Sequence, residues 1–356
     1  MSWHGILGHD DVAEQFRRAL ERERLASSFL FAGPEGIGKR TFALRLAQAL
    51  LCPTRPEKAM DPCGVCPACV QVDAGSHPDL VLLSKPKLKS FLPLELLIGD
   101  KEHRMREGLC HSIALKPLMG GRKVAIVDDA DYLNAEGANS LLKTLEEPPP
   151  RSVLVLVGTS PAKQLPTIRS RCQLVRFRPL SPEIVAELLT RCGLVEDPAE
   201  ARRLAGYSEG SLQKALDLAD PELWTFRTTL CEHLAAPVLE SVRLSRAVTA
   251  FVDEAGKQAA ARRGRLRQVV RMAADFYRHL LHAESGAAQP DDAELCDWVD
   301  RAIPTWPGDE LAAAACLQRC LEAAGQIDRN ANPTTLVECW LDDLHQIVAT
   351  GRAPVR

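Results

Sequence analysis

Apolar residues recur along this chain in two rhythms. Between Asp11 and Arg24 they fall at helical spacing, at Val12, Phe16 and Leu20, which predicts an amphipathic helix. Phe29-Leu30-Phe31 is an unbroken apolar run that ends at Gly33-Pro34, as a buried strand would. Lys39–Leu51 reads as a helix with Phe42, Leu44, Leu46, Ala47 and Leu50 turned inward. Leu80–Leu83, Val124–Val127 and Val153–Val157 are continuous apolar runs, the pattern of parallel strands covered on both faces. A helix over Asn134–Glu147 stops at Pro148-Pro149-Pro150, and Leu174–Phe177 is a last short strand. Strands alternating with helices predict an α/β fold with a parallel, doubly wound sheet over residues 1–178.

Past Arg178 the strand signal ends. Pro182–Cys192, Pro198–Tyr207 and Ser211–Ala219 predict a small helical domain over 179–220. Residues 221–356 read as an all-α domain, clearest at Arg265–Glu284 and Glu310–Gln326. Ser84–Gly99 is expected to be an irregular loop whose Lys85, Lys87 and Lys89 are solvated, or less simply touch phosphate. A chain of 356 residues accommodates this three-part division.

Charge narrows the function classes. With 26% charged residues and a net charge of −3, the chain lacks the excess of a protein that coats nucleic acid non-specifically. Met1–Leu20 mixes acids and bases with no apolar run, so no signal peptide is expected, nor any membrane span. The expected location is the cytoplasm.

Three groups of residues carry candidate chemistry. Gly33-Pro34-Glu35-Gly36-Ile37-Gly38-Lys39 follows a strand and opens a helix, the setting of a phosphate-binding loop. Gly33, Gly36 and Gly38 let backbone N–H groups converge on an anion, and Lys39 would meet the outer phosphates. A working loop next places Ser or Thr, whose hydroxyl binds Mg²⁺, but here it is Arg40. Thr41 lies about 100° further around the helix and does not substitute. The strand Val124–Val127 ends in Asp128 and Asp129; Asp128 is placed to hold Mg²⁺ through water, unless both acids merely cap the next helix. Thr159 completes the degenerate nucleotide-binding set, which leaves ATP or ADP binding in doubt.

Twelve cysteines divide into a cluster and a scatter. Cys52, Cys63, Cys66 and Cys69 offer four thiolates at close spacing, enough to close a tetrahedral structural Zn²⁺ site with no open position. His77 is read as a loop histidine rather than a further ligand. The remaining eight, such as Cys192, Cys231, Cys316 and Cys339, are read as reduced core residues. Arg171, in Ser170-Arg171-Cys172, stands at a loop end from which a guanidinium could reach a neighbour's γ-phosphate; taken alone, a surface salt bridge is the simpler reading.

Together and in this order, these motifs resemble the bacterial clamp-loader family of AAA+ proteins, whose members include delta-prime and gamma/tau. The resemblance spans most of the chain and is densest over 5–178. It rests on Ile6-Leu7-Gly8-His9, Gly33–Lys39, the four inserted cysteines, His77-Pro78-Asp79-Leu80 and Lys123–Asp128. It continues through the Leu141-Leu142-Lys143-Thr144-Leu145-Glu146-Glu147-Pro148-Pro149 block, Leu165-Pro166 and Ser170-Arg171-Cys172. More weakly, Ile327–Pro333 and Leu336–Leu344 resemble the family's terminal helices.

The resemblance implies an AAA+ P-loop domain, a helical lid and a collar that fastens a heteropentameric ring. It implies gamma/tau and delta subunits as partners and, through the complex, the sliding clamp and primer-template DNA. Three departures matter. Arg40 replaces the family motor's Thr, Asp129 its Glu, and Gln213 the Arg that follows Gly-Ser-Leu. Ser-Arg-Cys, which serves the neighbour, is intact. That asymmetry implies a stator subunit of the DNA polymerase III holoenzyme, lending Arg171 as an arginine finger and lacking its own ATPase activity. An ATP-hydrolysing motor subunit, or an unrelated zinc-binding AAA+ protein acting on nucleic acid, are the alternatives.

Overall fold

The computed structural model describes residues 3–350 except 87, 88, 90, 120, 257, 289–291 and 330. Lys87 and Asn330, both used in the sequence reading, lie outside the described residues. The chain divides into two compact units, Met1–Lys214 and Ala215–Arg356.

The first unit is built on five parallel strands: β1 (Ser28–Ala32), β2 (Leu80–Leu83), β3 (Lys123–Val127), β4 (Ser152–Gly158) and β5 (Gln173–Arg176). Their order is β2-β3-β4-β1-β5. The three central strands are buried along their whole length, which is why they read as unbroken apolar runs. The two edge strands differ from that expectation: β2 is only partly covered, and β5 buries Val175 alone. An edge strand has one neighbour fewer, so less of it is shielded.

One side of the sheet is filled by an aromatic cluster. Phe16 and Phe42, from flanking helices, meet Phe29 and Phe31 of β1, with Phe177 closing the group. A second cluster gathers Leu30, Ala125 and Leu154 with Leu97, Leu109 and Leu141. Leu97 belongs to a short helix, Leu94–Ile98, inside the stretch expected to be irregular. Its five residues are too few to show helical periodicity, but Leu97 and Ile98 are buried.

Because all strands are parallel, their carboxyl ends share one edge of the sheet. Ala32 pairs with Gly158 and Val127 with Leu156. The loop after β1, the acids after β3 and Thr159 after β4 are thereby placed side by side.

Helix starts follow sequence signals closely. Ser181, Asp197 and Asp220 each precede a proline and cap the helix that it opens, accepting from Ile184 N, Ala199 N and Glu222 N. In the second unit, long helices Ala259–Glu284, Glu310–Asp328 and Pro333–Thr350 bury Phe276, Tyr277, Cys316, Cys320, Trp340 and Leu344. Arg227 is buried there and paired with Asp292 and Glu294. Cys192 and Cys339, expected in the core, are exposed instead. Residue type places both inside, but the apolar character of a cysteine does not decide whether its face of the helix is covered. Among the described residues no helix is long and apolar enough to cross a membrane.

Candidate functional site

The loop after β1 takes a cradle shape that only its glycines permit. A Cβ at Gly33 would stand 2.4 Å from the Phe177 carbonyl oxygen, an impossible approach to backbone. Gly36 has φ +74, and a Cβ there would lie 2.5 Å from the Ser211 hydroxyl. The helix Lys39–Leu51 opens directly from this turn.

The cradle is internally satisfied. Lys39 is buried and its Nζ donates to the carbonyl of Gly33 at 2.7 Å and to that of Pro34. Burial lowers the lysine's pKa, opposed by the charges of Glu35, Asp131 and Asp128. Ser211 Oγ donates to Glu35 O at 2.7 Å, Leu212 N to Gly36 O at 3.0 Å, and His9 Nε2 meets Ile37 O at 2.7 Å. The Gly210-Ser211-Leu212-Gln213 segment therefore docks on the loop itself.

Arg40 points across to β3. Its Nε lies 3.5 Å from Asp128 Oδ2. The residue in place of the metal-binding hydroxyl thus pairs with the carboxylate expected to hold the metal. Burial and the Asp129 charge raise the Asp128 pKa, while Arg40 and Lys39 act the other way. Asp129 sits in the left-handed region at φ +57, and its Oδ2 accepts from Lys85 N at 3.2 Å. It does not cap the short helix that follows, which removes the simple capping explanation for this acid. Thr159 is engaged with Asp131: its backbone N and its Oγ1 donate to Oδ2 at 2.8 and 2.5 Å.

The four cysteines converge. Their sulfur atoms all lie within 4.8 Å of one another. Cys52 and Cys63 sulfurs are 3.8 Å apart, and Cys63 and Cys69 sulfurs 3.9 Å. A tetrahedron with metal–sulfur bonds of ~2.3 Å has edges of about 3.8 Å, so the sulfur set fits such an ion. Backbone N–H groups of Cys66 and Cys69 point at the Cys63 and Cys66 sulfurs, as thiolates require. Hydrogen bonds, led by Thr54, bring the Cys63 thiol down to about 5, whereas burial pushes Cys69 up. The group can hold a metal ion. It is braced to the phosphate-loop helix by Gln48 Nε2 donating to Cys69 O at 3.0 Å and by Arg45 on Asp73 at 2.7 Å.

Arg171 follows the short helix Pro166–Arg169 and is ion-paired within its own chain, to Glu146. Its Nη1 also donates to Thr167 O at 3.0 Å and Ser170 Oγ at 3.2 Å.

Three residues with clear structural work were not singled out as such. Asp79 is fully buried, accepts from Leu118 N and Met119 N at 2.8 and 2.9 Å, and lies 3.7 Å from Lys123 Nζ. It pins the turn before β3 to the start of β2. His77, also buried, accepts from Asp79 N through Nδ1 at 3.0 Å and is not part of the cysteine group. Asp131 binds both Thr159 and Gln164. An Asp beside an apolar run marks Asp79 and Asp131 weakly in the sequence, since burial rather than residue type sets their role.

Comparison with known proteins adds to this geometry. Residues 8–181 match the family model described as DNA polymerase III, delta subunit. The chain is 33% identical over 208 residues to the DNA polymerase III subunit delta' of Bacillus subtilis, covering 58% of each chain. It is 38% identical over 193 residues to the same subunit of Pseudomonas aeruginosa, covering 53% of this chain and 55% of the relative. Against the gamma/tau subunit of Mycobacterium bovis it is 32% identical over 225 residues, 62% of this chain and 36% of that protein. The chain thus spans a little over half the length of the delta' relatives it matches. The resemblance to clamp-loader subunits of the delta-prime type holds on the family model and on both delta' relatives.

Proposed function

We propose that this chain is the stator of a DNA polymerase III clamp loader, a delta-prime-type subunit that helps place the sliding clamp on primed DNA without hydrolysing ATP itself. The observation that carries this reading is the Arg40–Asp128 pair. Hydrolysis at such a loop needs a divalent ion held between the loop's hydroxyl and the strand's carboxylate. Here a guanidinium replaces the hydroxyl and sets a positive charge 3.5 Å from the carboxylate, so the cation loses one ligand and meets a competing charge at the other. Lys39, turned onto its own loop carbonyls, is consistent with this.

Arg171 lends its guanidinium to the nucleotide of an adjacent gamma/tau subunit, where charge develops on the γ-phosphate. The delta subunit, the sliding clamp and primer-template DNA complete the partners. The cysteine group holds Zn²⁺ as a structural ion, since four thiolates leave no position for substrate. Residues 179–220 act as lid and 221–356 as collar, and the site of action is the cytoplasm. The gamma/tau likeness and the retained Lys39 favour an ATP-hydrolysing motor as the second reading.

The test is a contrast in the reconstituted complex. Arg171→Ala should preserve assembly yet clearly lower clamp- and DNA-stimulated ATPase, while Lys39→Ala does much less. A finger in trans contributes ~10³–10⁵ in rate in GTPases, and several interfaces share the work here, so the loss should be smaller. Abolished loading in Lys39→Ala with a silent Arg171→Ala would install the motor reading instead.

A further inference from the structure

Arg171 is not free to meet a phosphate in the conformation the chain adopts. A guanidinium has five N–H donors. Nε and Nη2 both donate to Glu146 Oε1, the former at 2.8 Å. Nη1 donates to Thr167 O and Ser170 Oγ at 3.0 and 3.2 Å. Four donors are therefore engaged by the chain itself. Bidentate capture of a phosphate needs two parallel N–H groups on one edge. Every edge of this guanidinium has at least one contact to break first. The Glu146 carboxylate beside it would also repel a phosphate.

The holding group is placed by rigid elements. Glu146 is the last residue of the helix Ala135–Glu146, whose Leu141 and Leu145 are buried in the sheet's core. Arg171 follows the helix Pro166–Arg169, anchored by buried Ile168 in the same core. The pair itself is open to water, with side-chain exposures of 32% for Arg171 and 49% for Glu146. Solvent screening makes such a pair weak enough to exchange. A polyphosphate with several negative charges outcompetes one carboxylate.

We propose that Glu146 is a latch on Arg171. It keeps the guanidinium parked against its own chain until a nucleotide's phosphates on the neighbouring subunit draw it off. Glu146 is thus a positioning residue that sets how much nucleotide is needed, not how fast the chemistry runs. The proposal rests on the trans role given to Arg171 above.

Two measurements test it. On the isolated full chain, modification of Arg171 by phenylglyoxal, followed by peptide mapping, should be faster in Glu146→Ala than in the native protein. The expected gain is ~2–5-fold, the range of an exposed ion pair. Arg169, exposed and with no partner among the described residues, is the internal control and should not change. An unchanged Arg171 rate overturns the latch whatever the complex does. In the reconstituted complex, Glu146→Ala should lower the ATP concentration for half-maximal turnover by a similar factor and leave kcat unreduced. A merely structural role would not move that concentration. If Glu146→Ala lowers kcat as Arg171→Ala does, Glu146 orients the arginine rather than restraining it, and the latch is wrong. If Arg171→Ala is silent, the trans role fails and takes the latch's function with it. The modification rate still reports the contact separately, so the two failures are distinguishable.

Discussion

Removing the proposed Zn²⁺ should unfold the cysteine module locally while the sheet stays intact. The module has almost no apolar core of its own: its buried cluster is Cys52, Cys66, Cys69 and Ala68, with Cys63 packed against it. Fixing the ~18 residues from Cys52 to Cys69 costs on the order of 18 kcal/mol in backbone entropy at the low end. The module's ties to the rest of the chain, Gln48 to Cys69 O, Arg45 to Asp73, Trp3 Nε1 to Met60 O, Arg122 to Glu57 and the buried Met60 side chain, together offset only about 5–7 kcal/mol. A structural Zn²⁺ contributes ~10–16 kcal/mol at neutral pH, which is the size of the missing contribution. The variant Cys66→Ser, or prolonged chelation, should therefore release the ion and collapse hydrogen-exchange protection over 52–73. Protection in β1, β3 and β4 should persist, because their contacts do not pass through the module. Native mass spectrometry of protein purified without chelator should show one Zn²⁺ per chain. If chelated protein keeps full protection over 52–73, or the purified chain carries no metal, the reasoning fails.

Other substitutions probe the rest of the site. Arg40→Thr should remove the ion pair with Asp128 and make fluorescent-nucleotide binding Mg²⁺-dependent, yet turnover should stay at background because Asp129 is held by Lys85 N; robust hydrolysis would contradict this. Asp79→Ala should cost ~3–5 kcal/mol, since it strands the buried Lys123 ammonium and frees the Leu118–Met119 turn, and a urea midpoint unchanged from native would refute that assignment. Burial lowers the His77 pKa below its ordinary 6.5, so below that pH the unfolded chain binds more protons than the native one and stability falls with falling pH. His77→Asn keeps an acceptor for Asp79 N and should flatten this acid limb; an identical pH profile would show that His77 contributes nothing to it.

Much of the first unit was legible in one dimension. Unbroken apolar runs marked β1, β3 and β4 because those strands are central and buried on both faces. Proline after Ser181, Asp197 and Asp220 marked three helix starts, since capping is settled within a few residues. The cradle and the cysteine group were equally local: glycine is needed where backbone crowds backbone, and close Cys spacing supplies ligands to one ion. The sequence alone thus determined which chemistry the chain can attempt. Tertiary structure decided how each group is employed. Arg40 meets Asp128 only because β4 places the ends of β1 and β3 on a common edge, and residue type does not encode that order. Arg171 lies against Glu146, Asp79 is fully enclosed, and Cys192 and Cys339 face outward, for the same reason. Periodicity tells which face of an element a residue occupies, but not which distant element will cover that face. A charge takes its role from whatever covers it.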